Sequence, residues 1–342
     1  MLGPAYAFNC QLSPTVQLHL WKTYNLPVLT SGLAALPIRP VNLKTLISFQ
    51  NKILRGFLKL SSHSPIPALH FLLGELPIEG KLHLDVFSLF YTIWANPQTT
   101  IHQVTRYILR MTGDTSTTWS AHLRLLCRKY KIPDPLYLME QEPLWSRERW
   151  KTLTKTNVII EHERDLRAKA TPNSKMTYLN VQTCSLSGTL HPALQHLLTT
   201  QDAKKVRYHI KFLCGDFLTG ERLGLDQGVN PQCPLCPAPV ETASHILVQC
   251  RAMHHVRERL LPELLNAILT ADPTCLILVY PASPHLAQFL LDCTSLNLPN
   301  HFRLSPQNPS IKEVFKISRD WCHAVAKERS RKIKSQGGKA SS

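Results

Sequence analysis

Residues 233–250 read CPLCPAPVETASHILVQC. Cys233 and Cys236 form a C-x2-C pair, His245 follows after eight residues, and Cys250 after four more. A tetrahedral metal needs four soft or borderline donors converging on one point, and this spacing reads as a site for a single zinc ion. Pro234 and Leu235 suit a tight knuckle that turns both thiolates together. SHILVQC reads as the start of a helix with Ser244 as its cap. His245 and Cys250 are five residues apart, so a regular helix does not aim both inward, and a local distortion is expected there. Four protein ligands leave no open position for water, so the site reads as structural rather than catalytic. A chance cluster of core thiols is the competing reading. The three prolines and few bulky apolar residues ahead of His245 favour a metal-stapled loop.

The segment leading into this loop, AKKVRYHIKFLCGDFLTG, reads as a helix with two faces. Lys204, Arg207 and Lys211 share one stripe at i, i+3 and i+7, with Lys205 and His209 flanking it. Val206, Ile210, Leu213 and Phe217 form the opposite, core-facing stripe. A basic stripe beside a metal knuckle suits phosphate contacts, which give affinity and salt dependence without reading sequence. Beyond the loop, AMHHVRERLLPELLNAIL is amphipathic, and His254 and His255 follow an already complete ligand set. The last helix, IKEVFKISRDWCHAVAKERSRKI, places Val314, Ile317, Trp321 and Val325 on one face. It ends in Lys327, Arg329, Arg331, Lys332 and Lys334, with Lys339 in the tail. Lys327, Arg329, Arg331 and Lys332 join Lys204, Lys205, Arg207 and Lys211 as candidate nucleic-acid contacts.

Upstream, helix follows helix between prolines. A helix from Ser13 or Pro14 to about Tyr24 places Val16, Leu20 and Tyr24 on one face. VNLKTLISFQNKILRGFLKL has a broad apolar stripe and a basic side of Lys44, Lys52, Arg55 and Lys59, read equally as solvated surface or nucleic-acid contact. A buried helix runs from about Pro77 to Trp94, and two more follow, the second capped by Ser116 or Thr117 with Trp119, Leu123, Leu126 and Tyr130 facing the core. SRERWKTLTKTNVIIEHERDLRAKA carries mixed charge and reads as a solvated helix. Residues 171–192 read as loop with a short strand near Tyr178 to Val181, TCLILVY as a strand or short buried helix, and residues 281–310 as loop. The expected fold is mainly α, a multi-helical array with little β and a small structural zinc knuckle whose ligands are two cysteines, a histidine and a cysteine in chain order. The expected segments are 1–60 (helices, thumb-like by the resemblance given below), 61–200 (a helical linker region), 201–262 (zinc-binding) and 263–342 (C-terminal helices with a basic tail).

The chain has 39 Lys+Arg against 23 Asp+Glu, a net charge of +16, which favours a polyanionic partner such as RNA or DNA. Cysteines outside the loop (Cys10, Cys127, Cys184, Cys214, Cys275, Cys293 and Cys322) are scattered without a disulfide pattern, as expected in a reducing compartment. MLGPAYAFNC lacks the basic n-region of a signal peptide, and no apolar run reaches transmembrane length. An intracellular protein, nuclear or cytoplasmic, is expected.

Four stretches together resemble the C-terminal part of a LINE-type (non-LTR) retrotransposon polyprotein, beyond the reverse-transcriptase palm. LHLWKTYNLPVLTSGLAALPI with LKTLISFQNKILRGFLKL resembles thumb-side helices. FLLGELPIEGKLHLDVFSLFYTIW resembles the helical stretch that follows, RYHIKFLCGDFLTG with CPLCPAPVETASHILVQC the zinc-binding region, and FKISRDWCHAVAKERSRKI the terminal helix. The resemblance implies a region that holds template RNA or target DNA, with Cys233, Cys236, His245 and Cys250 as ligands and an upstream reverse-transcriptase portion as partner. The family's polymerase uses paired aspartates for two metal ions. This sequence contains no Asp-Asp pair and no endonuclease region, so the resemblance implies a fragment that is not itself an enzyme. Enzyme motifs point the same way: G-x-S-x-G, GxxxxGK[ST] and HExxH are missing, and Asp216 and Glu221 read as caps or solvated charges. Two other readings stand beside nucleic-acid binding: a zinc module that binds a polypeptide, and a retroelement remnant without function.

Overall fold

Several helices open on proline and close on a left-handed residue. In the computed structural model, residues 12–111, 117–141, 145–195, 197, 200–271, 284–295, 298, 303–305 and 308–337 are described. Helix α1 (Pro14–Leu20) is capped by Ser13, passes through a π turn at Trp21–Asn25, and continues as α2 (Leu26–Thr30). The expected stop near Tyr24 does not occur, because Pro27 lies in the first turn of α2, where its missing N–H is not needed. The expected face is also rotated. Leu18 and Trp21 go to the core with Leu26, while Val16 and Tyr24 are exposed. The π turn shifts the phase from Trp21 on and so moves Tyr24, but the choice of Leu18 over Val16 is made ahead of it.

Helix α3 (Pro40–Leu58) buries Ile53, Leu54, Phe57 and Leu58. Its buried Gln50 clamps the next turn, accepting from Ile78 N–H at 2.7 Å and donating to the Leu76 carbonyl at 3.1 Å. Helix α4 (Ile66–Leu73) ends at Gly74, φ 58°. A Cβ there would also stand 2.2 Å from the Thr189 carbonyl oxygen, so the position admits glycine alone. Helix α5 (Ile78–Trp94) crosses α9 (Arg147–Ala170) at Gly80, whose missing side chain leaves room for the His162 ring.

Between them lie α6 (Thr100–Met111), α7 (Trp119–Lys129) and α8 (Pro135–Glu140). The cap of α7 is Thr118, which accepts from Ala121 N–H, rather than Thr117; Ser116 lies outside the described residues. Leu123, Leu126 and Tyr130 are buried as expected, and Trp119 is partly covered, donating to the Ala34 carbonyl at 2.8 Å.

The mixed-charge helix α9 is not a solvated rod. Trp150, Thr154, Val158, His162, Leu166 and Ala170 form a buried row at four-residue spacing. Glu163 beside them anchors the following loop, accepting from Ser185 Oγ at 2.8 Å, Leu186 N–H at 2.9 Å and Arg167 at 3.0 Å. Where a short strand was expected at Tyr178–Val181, side chains hold the backbone instead: Gln288 Nε2 donates to the Tyr178 carbonyl at 2.8 Å, Asn180 N–H to Asp292 Oδ2 at 3.3 Å and Arg167 Nε to the Val181 carbonyl at 3.3 Å, and no strand occurs among the described residues.

The C-terminal part contains α10 (Thr200–Leu213), α11 (Gly220–Gln227), α12 (His254–Ala271), α13 (Pro284–Leu291) and α14 (Ile311–Gly337). Val206, Ile210 and Leu213 of α10 and Val314, Ile317, Trp321 and Val325 of α14 are buried as read, and the two helices pack together. Helix α13 falls in the stretch read as loop. Its Leu286, Ala287, Phe289, Leu290 and Leu291 are all buried, so it shows no polar face to betray a helical period. The TCLILVY segment and Lys339 lie outside the described residues.

Two apolar clusters organise the chain. One joins α1, α3, α4, the start of α5, the end of α9, and α10, α12, α13 and α14 around the metal loop; it draws on all four expected segments. The other packs α5 against α6, α7, α8 and the first half of α9 around Phe87, Phe90, Trp94 and Trp150. No described helix is long and apolar enough to cross a membrane.

Candidate metal centre

Cys233, Cys236, His245 and Cys250 come together, with one donor atom from each lying within 4.8 Å of every other. Cys233 Sγ is 3.9 Å from Cys250 Sγ, Cys250 Sγ is 3.9 Å from Cys236 Sγ, and His245 Nε2 is 3.3 Å from Cys236 Sγ. Thiolates bound tetrahedrally at about 2.3 Å stand about 3.8 Å apart, so the four side chains fit one small ion.

The backbone explains the convergence. Residues 233–238 form the knuckle, closed by Cys233 N–H to the Ala238 carbonyl at 3.1 Å. His245–Gln249 is a π-helix, closed by Cys250 N–H to the His245 carbonyl at 2.7 Å. This i to i+5 turn is the distortion that a five-residue separation demanded. Ser244 makes no cap; Thr242 does, its Oγ1 accepting from His245 N–H at 2.9 Å.

Burial pushes the Cys233 thiol up to about 12 and raises Cys250 as well. At Cys236 burial is outweighed by hydrogen bonds from the Ala238 amide and the neighbouring thiols, leaving it below its ordinary value. Burial also lowers His245, keeping its imidazole neutral and able to ligate. Crowded thiols of this kind become thiolates together only around a cation.

The terminal helix grips this loop at three points. Trp321 Nε1 donates to the Leu247 carbonyl at 3.1 Å, within the π turn. Lys332 Nζ donates to the Ala252 carbonyl at 2.8 Å. Arg329 clasps Glu241 with two bonds, Nε to Oε1 at 2.8 Å and Nη2 to Oε2 at 2.7 Å. Glu241 is fully buried and also accepts from the Gly220 amide at 2.6 Å, which ties α11 to the loop. Gly220 itself has no room for a side chain, since a Cβ would lie 2.6 Å from the Pro231 carbonyl oxygen. Glu241 was missed at the level of sequence. Its only signal is that it is the one acid inside the ligand loop.

The candidate cations fall into different settings. Arg329 is turned inward on Glu241, and its guanidinium also lies 5.6 Å from the Phe217 ring. Lys332 holds the loop, Arg331 pairs with Glu328 at 2.7 Å, and Lys327 is exposed. Lys205 bridges α10 to α14 through Asp320 at 2.7 Å. Lys204 is exposed, while Arg207 and Lys211 are half-buried. Arg207 Nε is buried without a hydrogen bond, as is Arg55 Nε. Burial and then the nearby Arg207 guanidinium hold Lys59 below its ordinary value. The ends of α3 and α10 are stitched there by Asp216, which accepts from the Ser61 amide at 2.9 Å and from its hydroxyl. His254 and His255 stand apart from the cluster, paired with Glu258 and Glu328.

Comparison of the chain with protein-family models, with curated proteins and with solved structures finds no match in any of the three.

Proposed function

We propose that the chain is a nucleic-acid-binding helical module stapled by one structural zinc at Cys233, Cys236, His245 and Cys250. Four protein donors fill the tetrahedral shell, so zinc supplies fold stability there and no activated water. The observation that carries the binding reading is the meeting of two basic faces. Lys52 and Arg55 of α3 with its capping Lys59, and Lys204, Arg207 and Lys211 of α10, lie far apart in sequence, yet Lys59 stands close enough to Arg207 to feel its charge. Asp216 is the acid that joins the two helix ends and lies close to Arg55. Like charges held together in this way are relieved by a polyanion such as RNA or DNA.

The reading agrees with the resemblance to the region beyond a LINE-type reverse-transcriptase palm, with the polymerase and endonuclease centres lying elsewhere. It gives the chain RNA or DNA, and an upstream reverse-transcriptase portion, as partners in the nucleus or cytoplasm. Arg329 and Lys332 drop out of the binding surface because their donors serve the metal loop.

Titration of labelled single-stranded RNA and duplex DNA at several salt concentrations tests this. Binding of both, with affinity falling steeply as salt rises, is expected. Arg207→Ala and Lys59→Ala should each reduce the slope of log K against log salt by about 1. Flat isotherms at low salt, or an unchanged slope in both variants, would overturn the reading.

A further inference from the structure

Helix α10 carries Tyr208 directly after Arg207, on its outward face. Lys204 stands four residues before the ring and Lys211 three after, so one lysine lies a turn away on either side of it. Along the helix these two lysines are about 10 Å apart. Ala203, Val206, Ile210 and Leu213 are buried behind them, which fixes the direction in which the row points. Across the groove with α14 lies His323. Its ring and that of Tyr208 meet with centroids 5.3 Å apart and planes tilted by 52°. One turn earlier on both helices, Lys205 and Asp320 pair at 2.7 Å, so the acid of this groove is already matched. Lys327, one turn beyond His323, is exposed. Burial and then the charges of Lys205 and Lys327 hold His323 below its ordinary value, so its ring is neutral at neutral pH.

Both rings are half-buried, and neither the Tyr208 hydroxyl nor the His323 imidazole bonds to protein among the described residues. The rings that build the interior behave differently. Tyr130 is bonded to His83 and His162, and His70 to Asn51 and the Glu75 carbonyl. A ring pair at the surface with lysines at both ends supplies the two parts of a single-strand site, cations for phosphates and an aromatic surface for the face of a base. A duplex keeps its base faces inside the stack, so the rings gain nothing from it. Arg207 and Lys59 adjoin the same row, which makes the platform continuous with the basic faces of α3 and α10.

We infer that Tyr208 and His323 form a stacking platform for an unpaired base of single-stranded nucleic acid, with the neighbouring phosphates held by Lys204, Lys211 and Lys327. The inference rests on the nucleic-acid reading above and narrows its ligand from any polyanion to a strand with free base faces.

The test uses the full chain with four labelled ligands: an oligouridine, an oligothymidine, an abasic strand of the same length and a duplex. The intact single strands should bind at least about tenfold more tightly than the abasic strand, and the tighter of the two names the sugar. Tyr208→Ala should erase that difference while leaving duplex affinity and the salt slope unchanged, and Tyr208→Trp should keep it. Lys204→Ala should instead lower the slope of log K against log salt by about 1, with intact and abasic strands alike. Equal binding of intact and abasic strands by the unaltered chain, with affinity still falling steeply as salt rises, overturns this inference and leaves the broader reading standing. Tyr208→Ala weakening duplex and single strands equally also overturns it, since the ring then serves only to pack α10 against α14. Flat isotherms for all four ligands overturn both.

Discussion

At the scale of single residues, Glu241 has the clearest consequence. A buried carboxylate held by a bidentate arginine and a backbone amide cannot lose its partner without leaving an unpaired charge in the interior. Arg329→Ala is therefore expected to cost roughly 3 kcal/mol in chemical denaturation at neutral pH, and Glu241→Gln about as much. The double variant should cost less than the sum of the two, because each single change already breaks the same pair. Gly74→Ala is the second residue-scale prediction. Its backbone is left-handed, and an added Cβ would meet the Thr189 carbonyl oxygen at 2.2 Å, so nothing accommodates it. A loss of roughly 2 kcal/mol or more is expected in the same assay.

At the scale of elements, the metal loop and α14 form one unit. Trp321, Arg329 and Lys332 all bond to the loop or its neighbouring turn, so release of the ion should loosen both. Hydrogen exchange before and after chelation is the measurement. Exchange should rise over residues 231–253 and in the second half of α14, while the second half of α5 and the first half of α9, which sit in the other apolar cluster, keep their protection. Uniform change along the chain, or none, would contradict that coupling. What could be read beforehand divides along the same lines. The ligands lie within 18 residues, and α10 and α14 carry regular apolar stripes, so both were readable from local spacing. The face of the first helix was not: Leu18 and Trp21 are buried where Val16 and Tyr24 were expected, and of those two expected residues only Tyr24 lies within the π turn that shifts the phase. The buried side of α9 was hidden by its composition. Thr154 is satisfied within the helix by the Trp150 carbonyl, and His162 and Glu163 by partners on other segments. The Glu241–Arg329 pair spans 88 residues, and no local pattern announces it.

At the scale of the whole molecule, the fold depends on histidines kept neutral. His70, His162 and His209 are buried, and burial lowers each from 6.5 to about 4, with His162 near enough to His70 to add to its lowering. His162 shares the Tyr130 hydroxyl with His83, at 3.1 and 2.6 Å, so the hydroxyl donates to one ring and accepts from the other. Unfolded, these rings bind protons below about pH 6.5; folded, they resist until about pH 4. Their stabilising effect is therefore complete above pH 6.5 and is lost as pH falls between those two values. Stability across that range should drop by roughly 1 kcal/mol per pH unit for each histidine in chemical denaturation, and a flat profile would contradict it. The proposed zinc staple ties the terminal helix to the loop, and its coordination can be measured directly. X-ray absorption at the zinc edge of the purified chain should give one zinc with three sulfurs at about 2.3 Å and one nitrogen at about 2.0 Å. A chain purified without metal that folds and binds none, or a shell unchanged by Cys236→Ser, would contradict it.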